Sequence, residues 1–135
     1  MASMEREIKF RGLARGIDKW MYGFFFIING CVGIGDSEGS VFEVYPDTIG
    51  QYTGLKDKNG TEIYEGDIVK HRGYNGMINS VVTFEAGAFI VGYHDGSSTK
   101  RRPMLLKPNV EVVGNIHQNL DLRNELEGSS EVSGN

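Results

Sequence analysis

The chain has 135 residues, 24% of them charged and 39% hydrophobic, which is an ordinary globular composition. Its formal net charge of −4 argues against a generic polyanion binder, and no apolar run approaches the roughly twenty residues that a membrane helix needs. A single cysteine excludes an intramolecular disulfide, and 19 glycines favour short strands and tight turns over long helices.

The opening residues carry no apolar signal segment. Residues 5–13 alternate, with Ile8 and Phe10 opposed to Lys9 and Arg11, which predicts a half-buried strand. Arg15-Gly16-Ile17-Asp18 reads as a turn. The longest apolar run, Trp20 to Ile28, sets Trp20, Tyr22, Phe24, Phe26 and Ile28 on one face and Met21, Phe25 and Ile27 on the other. That pattern predicts a long strand buried on both sides. Cys31 follows it and reads as a buried, inert thiol suited to a reducing cytoplasm. Residues 30–40 hold four glycines and are expected to be a turn or loop. Val41 to Tyr45 is a short strand ended by Pro46-Asp47, and Thr48 to Tyr52 is another.

Asp57-Lys58-Asn59-Gly60 is a tight turn between two extended pieces, with Gly60 expected at positive φ. Glu62 to His71 reads as one strand with an irregularity at Gly66-Asp67. Arg72 to Gly76 is a turn. Met77 to Phe84 and Phe89 to His94 make a hairpin around Glu85 to Ala88, Asp95 to Ser98 is a further turn, and Val110 to Ile116 closes the set. Residues 118–127 fit a short helix with Leu122 and Leu126 one turn apart, before a polar tail.

Catalytic chemistry finds little support. His71, His94 and His117 lie in three separate segments, so neither they nor Asp67, Asp95 and Asp121 show metal-ligand spacing. Glu62, Glu65 and Asp67 are close enough for paired-carboxylate work, but their alternation with Tyr64 and Ile68 equally describes a solvated strand face. Asp67, just after Gly66, is also placed to bond backbone at a bend. The glycines of 30–40 lack phosphate-loop spacing, and Ser37, Ser40 and Ser80 have no nucleophile setting. No catalytic residue, cofactor or metal is expected. Lys100, Arg101, Arg102 and Lys107 form a basic loop, and Tyr74 and Tyr93 offer stacking faces, which makes these six the candidate nucleic-acid contacts.

Residues 48–70 resemble the YopX family of phage and prophage proteins. Glu5 to Gly12 and Trp20 to Gly23 look like that family's opening, and Val82 to Glu85, Gly87 to Phe89 and Val113 to His117 like its closing part. The resemblance runs from about residue 4 to 120 and is poorest over 71–80 and 95–109. The family's start matches Met4, so Met1 to Ser3 are expected to be an expression leftover or an upstream start. The resemblance implies a phage-derived protein with an SH3-like part and no known activity. The strand pattern agrees with a mainly β chain: an N-terminal β region over 1–55, an SH3-like barrel within 56–120 (its strands from about 60 to 118), and a helix and tail over 121–135. The expected role is that of a non-enzymatic accessory protein in the bacterial cytoplasm, acting by contact with a phage or host protein or by forming a homo-oligomer. Nucleic-acid binding through the 100–107 loop is the alternative.

Overall fold

The computed structural model describes residues 6–73, 76–94 and 101–121, with the backbone alone of 93, 94, 101 and 102. The chain is mainly β, with two antiparallel sheets, neither of them closed among the described residues. It divides into two units between Gly54 and Leu55.

The first unit contains β1 (Phe10–Leu13), β2 (Trp20–Ile28), β3 (Cys31–Gly35) and β4 (Val41–Glu43), a single 3-10 turn at Pro46–Thr48, and the start of β5 (Gly50–Lys56). Its strands lie in the order β4-β3-β2-β1-β5. Gly16 (φ 92°) and Asp18 (φ 54°) turn the chain from β1 into β2. Asn29 (φ 53°) and Gly30 (φ 80°) turn it from β2 into β3, both residues left-handed as a type I′ hairpin requires.

The expected loop over 30–40 is therefore a strand in its first half. The glycines there serve packing. The ring of Phe26 lies across β3, 3.1 Å from where a Gly33 Cβ would stand and 3.5 Å from a Gly35 Cβ. At the base of the unit the chain curls. Val44 bridges Ala14, Tyr45 N–H donates to the Leu13 carbonyl (3.0 Å), and Thr48 Oγ1 accepts the Leu13 N–H at 2.9 Å. Leu13, Ala14, Ile34 and Val44 are buried in that curl.

The second unit takes the end of β5, then β6 (Glu62–Tyr64), β7 (Asp67–Gly73), β8 (Gly76–Glu85), β9 (Ala88–His94), β10 (Arg101–Leu105) and β11 (Glu111–Asn115). Five of these form a sheet in the order β10-β9-β8-β7-β11. Gly66 (φ 91°) does more than kink a strand: it splits residues 62–71 into β6 and β7. The expected hairpin of β8 and β9 is present, turned by Ala86 and Gly87 at positive φ. Ile63, Val69, Val82, Val91, Leu106 and Val110 form the core, with Leu55, Phe89 and Val112 packed against it. Arg101 to Leu105, expected in a loop, pair with β9 as an edge strand. Of the expected C-terminal helix, Leu120 and Asp121 are helical; the rest, from 122, lies outside the described residues.

Gly60 has φ +86°, as its turn demands. The turn also ties distant chain together. Asp57 Oδ1 accepts the N–H of Asn59 (2.8 Å) and Thr61 (2.9 Å), and Oδ2 accepts the N–H of Val112 (2.9 Å). Lys58 N–H donates to the Val110 carbonyl at 3.1 Å. Burial alone raises the Asp57 pKa, but those three N–H donors and the neighbouring Lys58 charge hold it below its ordinary 3.8.

Two outcomes follow for urea unfolding at neutral pH. Gly60→Val should cost on the order of 1–3 kcal/mol through backbone strain alone. Asp57→Ala should cost more, on the order of 2–4 kcal/mol, because three N–H groups lose their acceptor. Asp57→Ala should also flatten the acid limb: a depressed carboxylate stabilises the fold above pH 3.8, and that stability disappears as pH falls through the lower folded-state value.

Candidate interaction surface

Two of the carboxylates near Gly66, Glu62 and Asp67, make local hydrogen bonds. Asp67 is buried and its Oδ2 accepts the Tyr64 N–H at 2.7 Å, closing the β6–β7 turn. Tyr64 Oη donates to Glu62 Oε1 at 2.9 Å. Gly66 N–H donates to the Val82 carbonyl, and its own carbonyl accepts the Ile116 N–H, so this residue spans the neighbours of β7 on both sides.

One polar pair went unread in the sequence. His71 is 4% exposed, and its Nε2 lies 2.8 Å from Ser80 Oγ. Its Nδ1 lies 3.1 Å from the Arg72 carbonyl. A neutral ring that donates from Nδ1 and accepts the Ser80 hydroxyl proton at Nε2 satisfies both contacts. Burial pushes the His71 pKa below its ordinary 6.5, against a smaller opposing effect of the Arg72 carbonyl. Period-2 alternation from buried Val69 was the missed signal, since it puts His71 on a core face. Ser80 is also buried, so the pair is a core hydrogen bond rather than a nucleophile facing substrate. Among the described residues no group of three or more metal-binding side chains gathers, and no helix is long and apolar enough to cross a membrane.

The basic candidates are dispersed along the fold. Arg102 is the register partner of Tyr93, and Arg101 lies beside it on β10. Lys107 is exposed past the opposite end of that strand. Lys100 and Tyr74 lie outside the described residues.

The first unit shows a different surface. β2 was expected to be buried on both faces, but Phe24 (64%), Phe25 (43%), Ile27 (65%) and Ile28 (58%) are exposed. The reason is local. β1 pairs with β2 only from Trp20 to Gly23, and β4 pairs with β3 only from Gly33 to Gly35. Over Phe24–Phe26 the sheet is β2, β3 and β4 with the outer side of β2 unpaired among the described residues, and from Ile27 to Val32 the hairpin is a two-stranded ribbon. Cross-strand register puts Phe24, Ile28 and Cys31 on one face, with Val41 of β4, and Phe25 and Ile27 on the other. Phe10 shields one edge of Phe25, ring centroids 4.8 Å apart. Cys31, expected to be buried, is a free and exposed thiol beside the ribbon tip. From Trp20 to Gly35 there is no charged residue.

Gly23 lets the ribbon leave the base. Its φ is +151°, and a Cβ there would overlap the Gly35 carbonyl oxygen. Only glycine permits that close backbone approach.

Fold and surface together define an all-β protein of two units whose most distinctive described surface is an uncharged apolar ribbon. A model of the YopX protein family matches residues 28–122, and the chain belongs to that family. No curated protein matches the chain. A solved structure similar to it is that of protein EF1440 from Enterococcus faecalis. That likeness is 23% identical, covers 86% of this chain and 97% of the other, and has a TM-score of 0.51. At that identity it speaks for the fold alone.

The His71–Ser80 pair generates a pH prediction. A histidine held below its ordinary pKa stabilises the fold above pH 6.5, and that contribution is lost as pH drops through the folded value. Urea midpoints should therefore fall between pH 7.5 and pH 5. The fall should be smaller in His71→Gln, which keeps a polar group but cannot titrate.

Proposed function

We propose that this YopX-family chain is a non-enzymatic accessory protein of phage or prophage origin that works by protein–protein contact. The single observation behind the reading is the distal β2–β3 ribbon, with large apolar side chains exposed on both faces and no charge along it. Monomeric soluble proteins rarely leave such surface uncovered. The family match supports membership without assigning an activity. We read the second unit as an SH3-like barrel in type, supported by its five-stranded antiparallel sheet and aliphatic core. That unit serves as a scaffold. The bacterial cytoplasm suits a chain whose one cysteine is free and exposed.

Nucleic acid is the weaker occupant. The net charge is −4, and Lys107 sits at the far end of β10 from Arg101 and Arg102. Capture from lysates of phage-infected cells tests the contact reading. Wild-type protein should retain a defined partner, or further copies of itself, that a Phe24→Ser/Ile27→Ser variant of unchanged melting temperature loses. Identical captures by the two proteins would remove the ribbon from the contact.

A further inference from the structure

We infer that the partner seated on the ribbon is a second copy of this chain, joined edge to edge along Phe24–Ile28 of β2 about a two-fold axis through Phe26. The inference rests on the contact reading above and deepens it by naming the occupant and the register.

The first observation is the free edge. β1 leaves β2 after Gly23, and among the described residues no strand pairs with the outer side of Phe24–Ile28. In a two-residue type I′ hairpin the residues flanking the turn, here Ile28 and Cys31, form the close hydrogen-bonded pair. Alternation then points the N–H and C=O of Phe26 toward β3, and those of Phe25 and Ile27 outward. An antiparallel second copy centred on Phe26 sets the outward groups of Phe25 against those of Ile27 in the other chain. Both exchanges recur across the axis, which is the pattern an antiparallel ladder needs.

The second observation is the sequence of the edge itself, Phe-Phe-Phe-Ile-Ile. In that register Phe24 faces Ile28 of the second copy, Phe25 faces Ile27, and Phe26 faces itself. Every non-central pair is aromatic against β-branched, among the favourable cross-strand pairings. The segment is thus self-complementary, as an isologous interface requires. A shift to the next register with outward groups aligned would centre on Phe25, set Gly23 against Ile27 and leave Ile28 unmatched.

The third observation is how the chain treats its other edges. β10 carries Pro103, which cannot donate to a new ladder, and β4 is three residues long with Glu43 paired to Arg15 at 3.2 Å. The β2 edge carries no charge and no proline. Two copies at −4 each repel generally, and this uncharged stretch lets them meet without opposing like charges. Edge pairing covers only part of the exposed apolar side chains, so the interface falls below the roughly 800 Å² per partner of a standard complex and the dimer should be a weak one.

Sedimentation velocity from about 1 µM to about 1 mM tests this. The wild type should pass from monomer to dimer. Phe24→Lys and Ile28→Glu alter exposed side chains, and each alone should weaken the dimer at least tenfold. Mixed one to one, they should recover a heterodimer, because one end keeps its native pair and the other sets the new lysine against the new glutamate. Spin labels on Cys31 read the geometry independently. Strand spacing and rise put the two Cys31 Cα atoms about 20 Å apart in this register, giving label distances of about 20–30 Å. A wild type monomeric at about 1 mM would overturn self-association; the contact reading would then stand or fall on its own capture assay. A dimer indifferent to both substitutions, or with labels beyond about 40 Å, would overturn the register.

Discussion

The second unit is organised around one carboxylate. Asp57 accepts three backbone N–H groups, two from its own turn and one from Val112, fifty-five residues away. The first two fix the turn that leads β5 into β6. The third fastens that turn to the start of β11. Lys58 adds a backbone bond to the Val110 carbonyl and a loose ion pair to Glu111 at 3.9 Å. Val110 and Val112 both pack in or against the core, so the polar stitch and the apolar cluster specify one register for β11. A buried carboxylate tolerates that setting because its donors are backbone groups that would otherwise lack partners. The same logic recurs at Asn115, whose Oδ1 accepts the N–H of His117 and Gln118 and shapes the exit from the last strand.

The first unit solves the opposite problem. It has few layers and many large apolar residues. Its curled base buries Leu13, Ala14, Ile34 and Val44. Gly12 belongs to that solution, since a Cβ there would press on Val44 at 2.9 Å. The rest of the hairpin leaves the base with no covering layer. Phe26 packs over Gly33 and Gly35, and type I′ residues at the tip match the strand twist. An ordered ribbon loses little entropy when it meets a partner, which favours contact as its role.

Much of this was legible in the residues, and the failures have physical causes. Asp57-Lys58-Asn59-Gly60 could be read because Asn and Gly at fixed turn positions have a local meaning. Asn29-Gly30 carries the same meaning, but the glycines of 30–40 drew the reading toward a loop. Glycine is ambiguous between a turn and a floor for an aromatic ring, and only the cross-strand partner Phe26 decides. Alternation in β2 was correct in face and wrong in burial. Burial depends on where β1 stops pairing, and Gly23 marks that point only once its close approach to Gly35 is known. His71 was readable from Val69 two positions earlier, whereas its bond to Ser80 needed the β7–β8 register. The basic residues 101 and 102 became an edge strand because β9 supplied a ladder that composition does not reveal.

Exposed apolar strand edges are a hazard, and folded chains usually blunt them with charge, proline or shortness. This chain has the means and uses them selectively. Pro103 interrupts the β10 edge, and β4 is cut to three residues beside an Arg15–Glu43 pair. Along β2 the residues that pair with β1 include Trp20, whose ring receives the buried Arg11 guanidinium at 4.0 Å. Protection ends where that pairing ends, at Gly23. The contrast between these guarded edges and the outer side of Phe24–Ile28 fits the contact role proposed above. A lysine in place of Phe24 or Ile27 would remove the hazard without disturbing any buried contact at the base. The chain instead holds five consecutive apolar residues on an edge unpaired among the described residues, in an order that sets phenylalanine opposite isoleucine when laid antiparallel on itself.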